Sequence, residues 1–276
     1  MGGSCACPLG AGRKPEPMSR DGMPSTPREP AFRVPRVIVF LAAIILTFQL
    51  IMQFVDRPLT LALIVDMALF PARFFAENMG NLPGGLGQGV FSLVSYGFLH
   101  DGWSHCVINL VWLLAFGAPV ARRLGARRFL VLYLACIVIG GLVQVFSAGE
   151  EAWLVPIIGA SAGVSGMMGA AARFAFPETR WFDSATAAQR RRLLPISQVP
   201  KRRPVVMFIG VWVVINVAFG LAGPLATGTM SANIAWQAHL GGFFAGLLLI
   251  GLIEKPPLSS SGGPGNVDYG DWKDLG

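Results

Sequence analysis

Charged residues are scarce in this chain. Asp, Glu, Lys and Arg make up only 13% of its 276 residues, while 53% are hydrophobic. A soluble domain carries about 25% charged residues, so the shortage excludes an ordinary water-soluble fold and implies several membrane spans. Cysteine is thin too. Of the four, Cys5 and Cys7 lie near the N-terminus and Cys106 and Cys136 in apolar stretches. They match neither a disulfide framework nor a metal-ligand spacing. With no HExxH either, no metal or other cofactor is expected. The first 30 residues, rich in Pro, Gly and Arg, lack the apolar core of a signal peptide and read as a disordered tail. No internal repeat is visible. Histidine is the most telling scarcity: His100, His105 and His239 are the only three.

What the chain does have is long apolar runs. Segments near the roughly 20 residues needed to cross a bilayer occupy 37–56, 103–121, 129–147, 155–174, 204–223 and 235–253. The expected fold is therefore all-α: a polytopic six-helix membrane domain over 35–254, with disordered tails at 1–34 and 255–276. Residues 59–70 are apolar but too short to span, and read as a re-entrant or interfacial piece inside the long loop 57–100. The run Asn78–Gly87 in that loop is turn material. Helix two is expected to start near His100 or Trp103. The short basic joint Arg122–Arg128 makes helices two and three antiparallel neighbours. Helix four is expected to begin near Ser161, and Gly220–Thr229 reads as a Gly-rich loop.

The net charge of +7 could suit a nucleic acid, but its placement argues against that partner. Of the 22 Lys and Arg residues, 20 fall before helix one, between helices two and three, between four and five, or after six. Only Arg57 and Arg73 fall on the other side. This alternation follows the positive-inside rule. It predicts a multi-pass integral protein of a bacterial inner (plasma) membrane with both termini cytoplasmic and the 57–100 loop outside. The basic runs Arg190–Arg192 and Lys201–Arg203 then meet anionic membrane lipids.

The chemistry centres on Gly159–Ala170, a small-residue stretch inside an apolar run. Ser161, Ser165 and Gly169 recur at four-residue spacing and share one helical face. Such a face lets another helix approach closely. Gly242 and Gly246 give the last helix a similar face, which would bring His239 within hydrogen-bond reach of Ser161. A serine needs such an adjacent base to act as a nucleophile. His105 and Asn109 lie one turn apart on helix two, and both can donate hydrogen bonds to an oxyanion developing on an attacked carbonyl. Taken singly, each piece has a structural explanation: a packing face, a structural hydrogen-bonder, interhelical glue. Their joint occurrence, using every histidine in the chain, favours function, because ionisable residues inside membranes are costly.

Three motifs carry a family resemblance. They are Phe98-Leu99-His100-Asp101-Gly102-Trp103-Ser104-His105 with Asn109, then Gly159-Ala160-Ser161, then Trp236-Gln237-Ala238-His239-Leu240-Gly241-Gly242. In order and spacing, over about residues 36–253, the chain resembles the rhomboid family of intramembrane serine proteases. The resemblance implies a Ser–His dyad without a third carboxylate, Ser161 as nucleophile and His239 as base. It implies an oxyanion site from His105, Asn109 and the Ser161 N–H, and a structural or water-positioning role for His100. Gly159 and Gly242 are supporting positions. The implied partners are transmembrane protein substrates cut in or near the bilayer, and the resemblance says nothing of oligomeric state. Two departures stand out. Ala162 replaces the glycine usual after the nucleophile, where its methyl would crowd a substrate backbone. The Trp-Arg pair common in the first outer loop has no clear match, with Phe91-Ser92 near its place and Arg73 as the loop's arginine. A non-cleaving relative would have lost the dyad. A transporter using the histidines as metal ligands would need three or four of them around one ion.

Overall fold

The computed structural model describes residues 34–75, 82–176, 192–227 and 235–254. The expected tails, 1–34 save Val34 and 255–276, lie outside the described residues, as do the first four residues of the 78–87 turn and most of the basic loop between helices four and five.

Helix α1 (Arg36–Phe54) follows Pro35, whose fixed φ suits a helix start. It buries one stripe, Ile38, Leu41, Ile45 and Gln49, and leaves Phe40, Leu50 and Phe54 exposed. In a bilayer that apolar outer face meets lipid. The short apolar piece of the first loop forms α2 (Arg57–Met67), capped by the Asp56 carboxylate, which accepts from the Leu59 N–H at 3.1 Å. Its 11 residues rise only about 16 Å, too little to span. A 3-10 turn (Pro71–Phe74) and α3 (Gly85–Ser95) complete the loop. The fully buried Arg73 ties it together, donating to the carbonyls of Val65 (2.6 Å), Pro83 (3.3 Å) and Ala68 (3.4 Å). Burial lowers its pKa from the usual arginine value. Phe91 is exposed, and Ser92 is buried with its hydroxyl on the Gly89 carbonyl, so Arg73 rather than this pair clasps the loop.

Helix α4 (Gly102–Leu124) contains a π-helical turn at Leu113–Gly117. Pro119 follows after one residue. Its missing N–H and its ring disfavour regular helix there, and a π turn absorbs the mismatch. After Gly125, at φ +74°, α5 (Ala126–Ser147) begins and packs on the end of α4, as expected for neighbours. The remaining helices are α6 (Ser161–Ala172), α7 (Arg203–Thr227) and α8 (Trp236–Ile253). Among the described residues five helices, α1, α4, α5, α7 and α8, are long and apolar enough to cross a membrane, and no strand forms. The chain is an all-α, multi-pass integral membrane protein.

One boundary falls where expected and one does not. The fourth apolar run, 155–174, forms a helix only from Ser161 to Ala172. Its first part is irregular because Ile157 pairs with Leu69 in the first loop and Gly159 sits at φ +125°, outside any helix. A 12-residue helix suffices because α6 is central, with Ala162 through Ala172 all buried in protein. Irregular backbone at membrane depth is tolerated when protein surrounds it. The loop expected at Gly220–Thr229 is helical as far as Thr227. Glycine and proline are accepted in membrane helices, whose alternatives leave backbone groups unsatisfied. Gly220 is moreover pressed against the Trp236 ring.

The contact between α6 and α8 is made by backbone. A methyl added at Gly242 would overlap the Ala162 carbonyl, and one at Gly246 would overlap the Gly166 carbonyl. The α6 face that meets α8 is therefore Ala162, Gly166 and Gly169. Of the expected Ser161/Ser165/Gly169 face, Gly169 makes this close contact, while Ser161 and Ser165, turned about one residue around the helix, line a cavity. At the opposite end of the bundle, Arg123 at the end of α4 pairs with Glu254 after α8 at 2.7 Å.

Candidate active site

Ser161 is the first residue of α6, so the chain leading to it decides where its hydroxyl goes. That chain is held at successive backbone groups. Leu69 and Ile157 exchange hydrogen bonds at 3.0 and 2.9 Å, the Gly159 N–H donates to the Tyr96 carbonyl at 3.0 Å, and the Ala160 N–H donates to His100 Nε2 at 3.2 Å. The helix begins with the Val164 N–H on the Ala160 carbonyl. The N–H groups of the first turn, Ser161's among them, have no intrahelical partner, and the positive end of the helix dipole lies at the serine.

His239 lies in the first turn of α8. Its Nε2 is 2.7 Å from Ser161 Oγ, and its Nδ1 is 2.8 Å from Asn216 Oδ1 on α7. The start of α8 is tied to α5, where Gln144 Oε1 accepts from the Ala238 N–H at 3.2 Å. Gly140 and Gly242 permit the approach: a methyl on Gly140 would lie 2.6 Å from the Ala238 carbonyl.

His105 and Asn109 share one face of α4 and line the same cavity as Ser161 and His239. His105 Nδ1 accepts from the Asp101 N–H at 3.4 Å, which leaves Nε2 as the protonated, donating nitrogen of the neutral ring. That Nε2 rests against Gly159, where a methyl would stand 2.8 Å away. Gly159 thus serves twice, through its positive φ and through its missing side chain. Asn109 Nδ2 donates one hydrogen to the His105 carbonyl at 3.0 Å; the amide carries a second.

His100 lies outside α4, 2% exposed, edge-to-face with His105 at 5.0 Å. Burial, aided by the neighbouring His105, pushes its pKa down to about 4. Neutral at pH 7, it accepts from Ala160 through Nε2, so its proton is on Nδ1. It fixes the loop before the serine.

The four side chains open onto a cavity of about 950 Å³ between α4, α6, α7 and α8. Beyond these four, Ser165, Asn216 and Arg203 are polar residues of its lining, while Trp112, Met168, Met207 and Phe208 are among the apolar residues that make up most of it. Ala162 does not line it. This residue is fully buried, and its methyl points at α5, where Gly140 makes room for it. The methyl expected to crowd a substrate thus faces α5 rather than the cavity.

Sequence reasoning passed over Asn216 and Gln144. The available signal was the one that marked the histidines, a hydrogen-bonding side chain in an apolar run. Asn216 is the only side-chain amide in 204–223.

A family model, the Rhomboid domain, matches residues 87–255. The chain is 28% identical over 156 residues to Rhomboid protease GlpG of Serratia proteamaculans, covering 56% of this chain and 45% of that protein. It is 27% identical over 165 residues to Rhomboid protease GluP of Bacillus subtilis, 59% of this chain and 26% of that one. It is 28% identical over 169 residues to the mitochondrial Rhomboid protein 1 of Saccharomyces cerevisiae, 59% of this chain and 42% of that one. The aligned part is less than half the length of each of these relatives. With the model covering well over half of the chain, and the motifs of three helices meeting in one cavity, the chain belongs to the rhomboid family.

Proposed function

We propose that this protein is an intramembrane serine endopeptidase that cleaves transmembrane protein substrates in or near the bilayer with a Ser161–His239 dyad. The observation that carries the reading is the 2.7 Å contact between His239 Nε2 and Ser161 Oγ in a mostly apolar cavity. The names of the bacterial relatives, rhomboid proteases, support it.

The chemistry follows from the donors and acceptors. Ser161 Oγ attacks the scissile carbonyl carbon while His239 Nε2 takes its proton. The carbonyl oxygen becomes an oxyanion, to which the Ser161 N–H, His105 Nε2 and the second Asn109 hydrogen donate. Collapse breaks the C–N bond, and His239 returns the proton to the leaving amine. Water then attacks the acyl-serine, giving its proton to Nε2, and the second collapse frees the acid and restores Ser161. His100 keeps the nucleophile loop in place. In the membrane, the excess of Lys and Arg on one side favours both termini in the cytoplasm of a bacterial inner (plasma) membrane, with the 57–100 loop outside.

The test is labelling with a serine-reactive fluorophosphonate together with cleavage of a transmembrane model substrate. Wild type should label and cleave. Ser161→Ala and His239→Ala should do neither while remaining folded and inserted, with loss in rate on the order of 10⁶, as for a catalytic unit in soluble serine proteases. Cleavage by Ser161→Ala near the wild-type rate would sink the proposal.

A further inference from the structure

Asn216 meets the base on the side away from the serine. Its Nδ2 donates to the Trp212 carbonyl, four residues earlier on α7, at 2.8 Å. That bond decides which way the amide faces. Turned over, Asn216 would set its oxygen against the Trp212 oxygen and lose the bond. In the observed orientation Oδ1 projects to His239 Nδ1 at 2.8 Å and can only accept. Nδ1 must therefore carry the hydrogen, and Nε2 is left with a lone pair aimed at Ser161 Oγ. The other neutral tautomer would lose the bond to Asn216 and present an N–H to the serine where a base is needed.

The placement is built into the helix pair. Trp212 lies four residues before Asn216, and Phe243 four residues after His239. Their rings stack at 4.2 Å and 19°. In an antiparallel pair this stack is the next rung of the ladder that sets Asn216 opposite His239. An amide also suits the site. It stabilises an imidazolium through its dipole without burying a second net charge in a low-dielectric interior.

We infer that Asn216 is the positioning residue for His239: it locks the imidazole in the Nδ1–H tautomer and holds its plane toward Ser161, so that the working unit is Ser161–His239–Asn216 rather than a dyad. This rests on the dyad reading above. Merely bonding two helices together, as polar residues in membranes do, would give Asn216 no influence on the pH dependence of the reaction.

The experiment uses the full chain in one detergent with a transmembrane model substrate, comparing wild type, Asn216→Ala, Asn216→Asp and Ser161→Ala. Asn216→Ala should lower kcat by about 10–100-fold with little change in KM, a share of what a positioned base supplies. Asn216→Asp keeps an acceptor for Nδ1 but loses the bond to the Trp212 carbonyl, and should restore part of kcat. Its carboxylate favours the imidazolium, so the acid limb of the kcat/KM profile should move up by about one pH unit or more. The inference is overturned if Asn216→Ala keeps a wild-type kcat and pH profile, or if its loss only follows the folded fraction and Asp does not restore it. Ser161→Ala separates the two levels. Were that variant active, the dyad reading itself would fall. With it inert and Asn216→Ala normal, only the role of Asn216 falls.

Discussion

Replacing Gly246 by alanine should disable the site from two turns away. Gly246 lies against the Gly166 backbone, and an added methyl would overlap the Gly166 carbonyl. Backbone meets backbone here, so no side chain can swing aside. Non-bonded carbon and oxygen need about 3.5 Å, and the helices must part by roughly an ångström or more to provide it. Ser161 rides on one of these helices and His239 on the other, 2.7 Å apart. The same displacement stretches that contact past the limit of a hydrogen bond, about 3.5 Å. A misplacement of this size can cost about 10²-fold in rate, and overpacking destabilises by about 1–3 kcal/mol. The control is Gly210→Ala on α7, where an added methyl meets nothing within 4 Å. It should leave kcat unchanged and the melting temperature unchanged or slightly raised, since alanine favours the helix. The measurements are kcat, fluorophosphonate labelling rate and melting temperature for both variants in one detergent. A fully folded Gly246→Ala protein with wild-type kcat would falsify the claim that this helix contact sets the serine–histidine distance.

Other outcomes follow from the same geometry. His105→Ala and Asn109→Ala should each lower kcat by about 10²–10³ with little change in KM, because the proposed bonds to the oxyanion would be made only in the transition state. A normal kcat with a depressed melting temperature would make them structural. Ala162→Gly should leave kcat near wild type but lower the melting temperature, through about 1 kcal/mol of helix propensity and the loss of the methyl seated against Gly140; a large gain in rate would show that the methyl does crowd substrate. For His100, pushed from 6.5 down to about 4 in the folded protein, the unfolded chain takes up the proton first. Its stabilising contribution is therefore complete above about pH 6.5 and is lost as pH falls toward 4. Melting temperatures of His100→Gln should decline less than wild type over that window, and an equal decline would refute the assignment.

Much of this protein is legible in its sequence, for a reason specific to membranes. A bilayer leaves no water to satisfy a polar group, so long apolar runs declare the helices and each polar interruption stands out. The five spanning helices, the non-spanning α2, the start of α6 at Ser161 and the inward histidines were readable in that way. Hydropathy cannot tell burial in protein from exposure to lipid. Residues 155–160 are therefore as apolar as a helix, yet they run irregularly because Leu69 and His100, distant in sequence, claim their backbone groups. The same blindness hid the true contact face of α6. Glycines at four-residue spacing imply close packing, but which of two adjacent stripes, Ser161/Ser165 or Ala162/Gly166, meets α8 depends on a rotation of about 100° per residue, and the packing of the whole bundle sets that rotation. The harmless direction of the Ala162 methyl follows from it. Asn216 could be noticed as an amide in an apolar run. That it faces His239 depends on the register of α7 against α8, held by Trp212 on Phe243, and no spacing within either helix encodes a register between them.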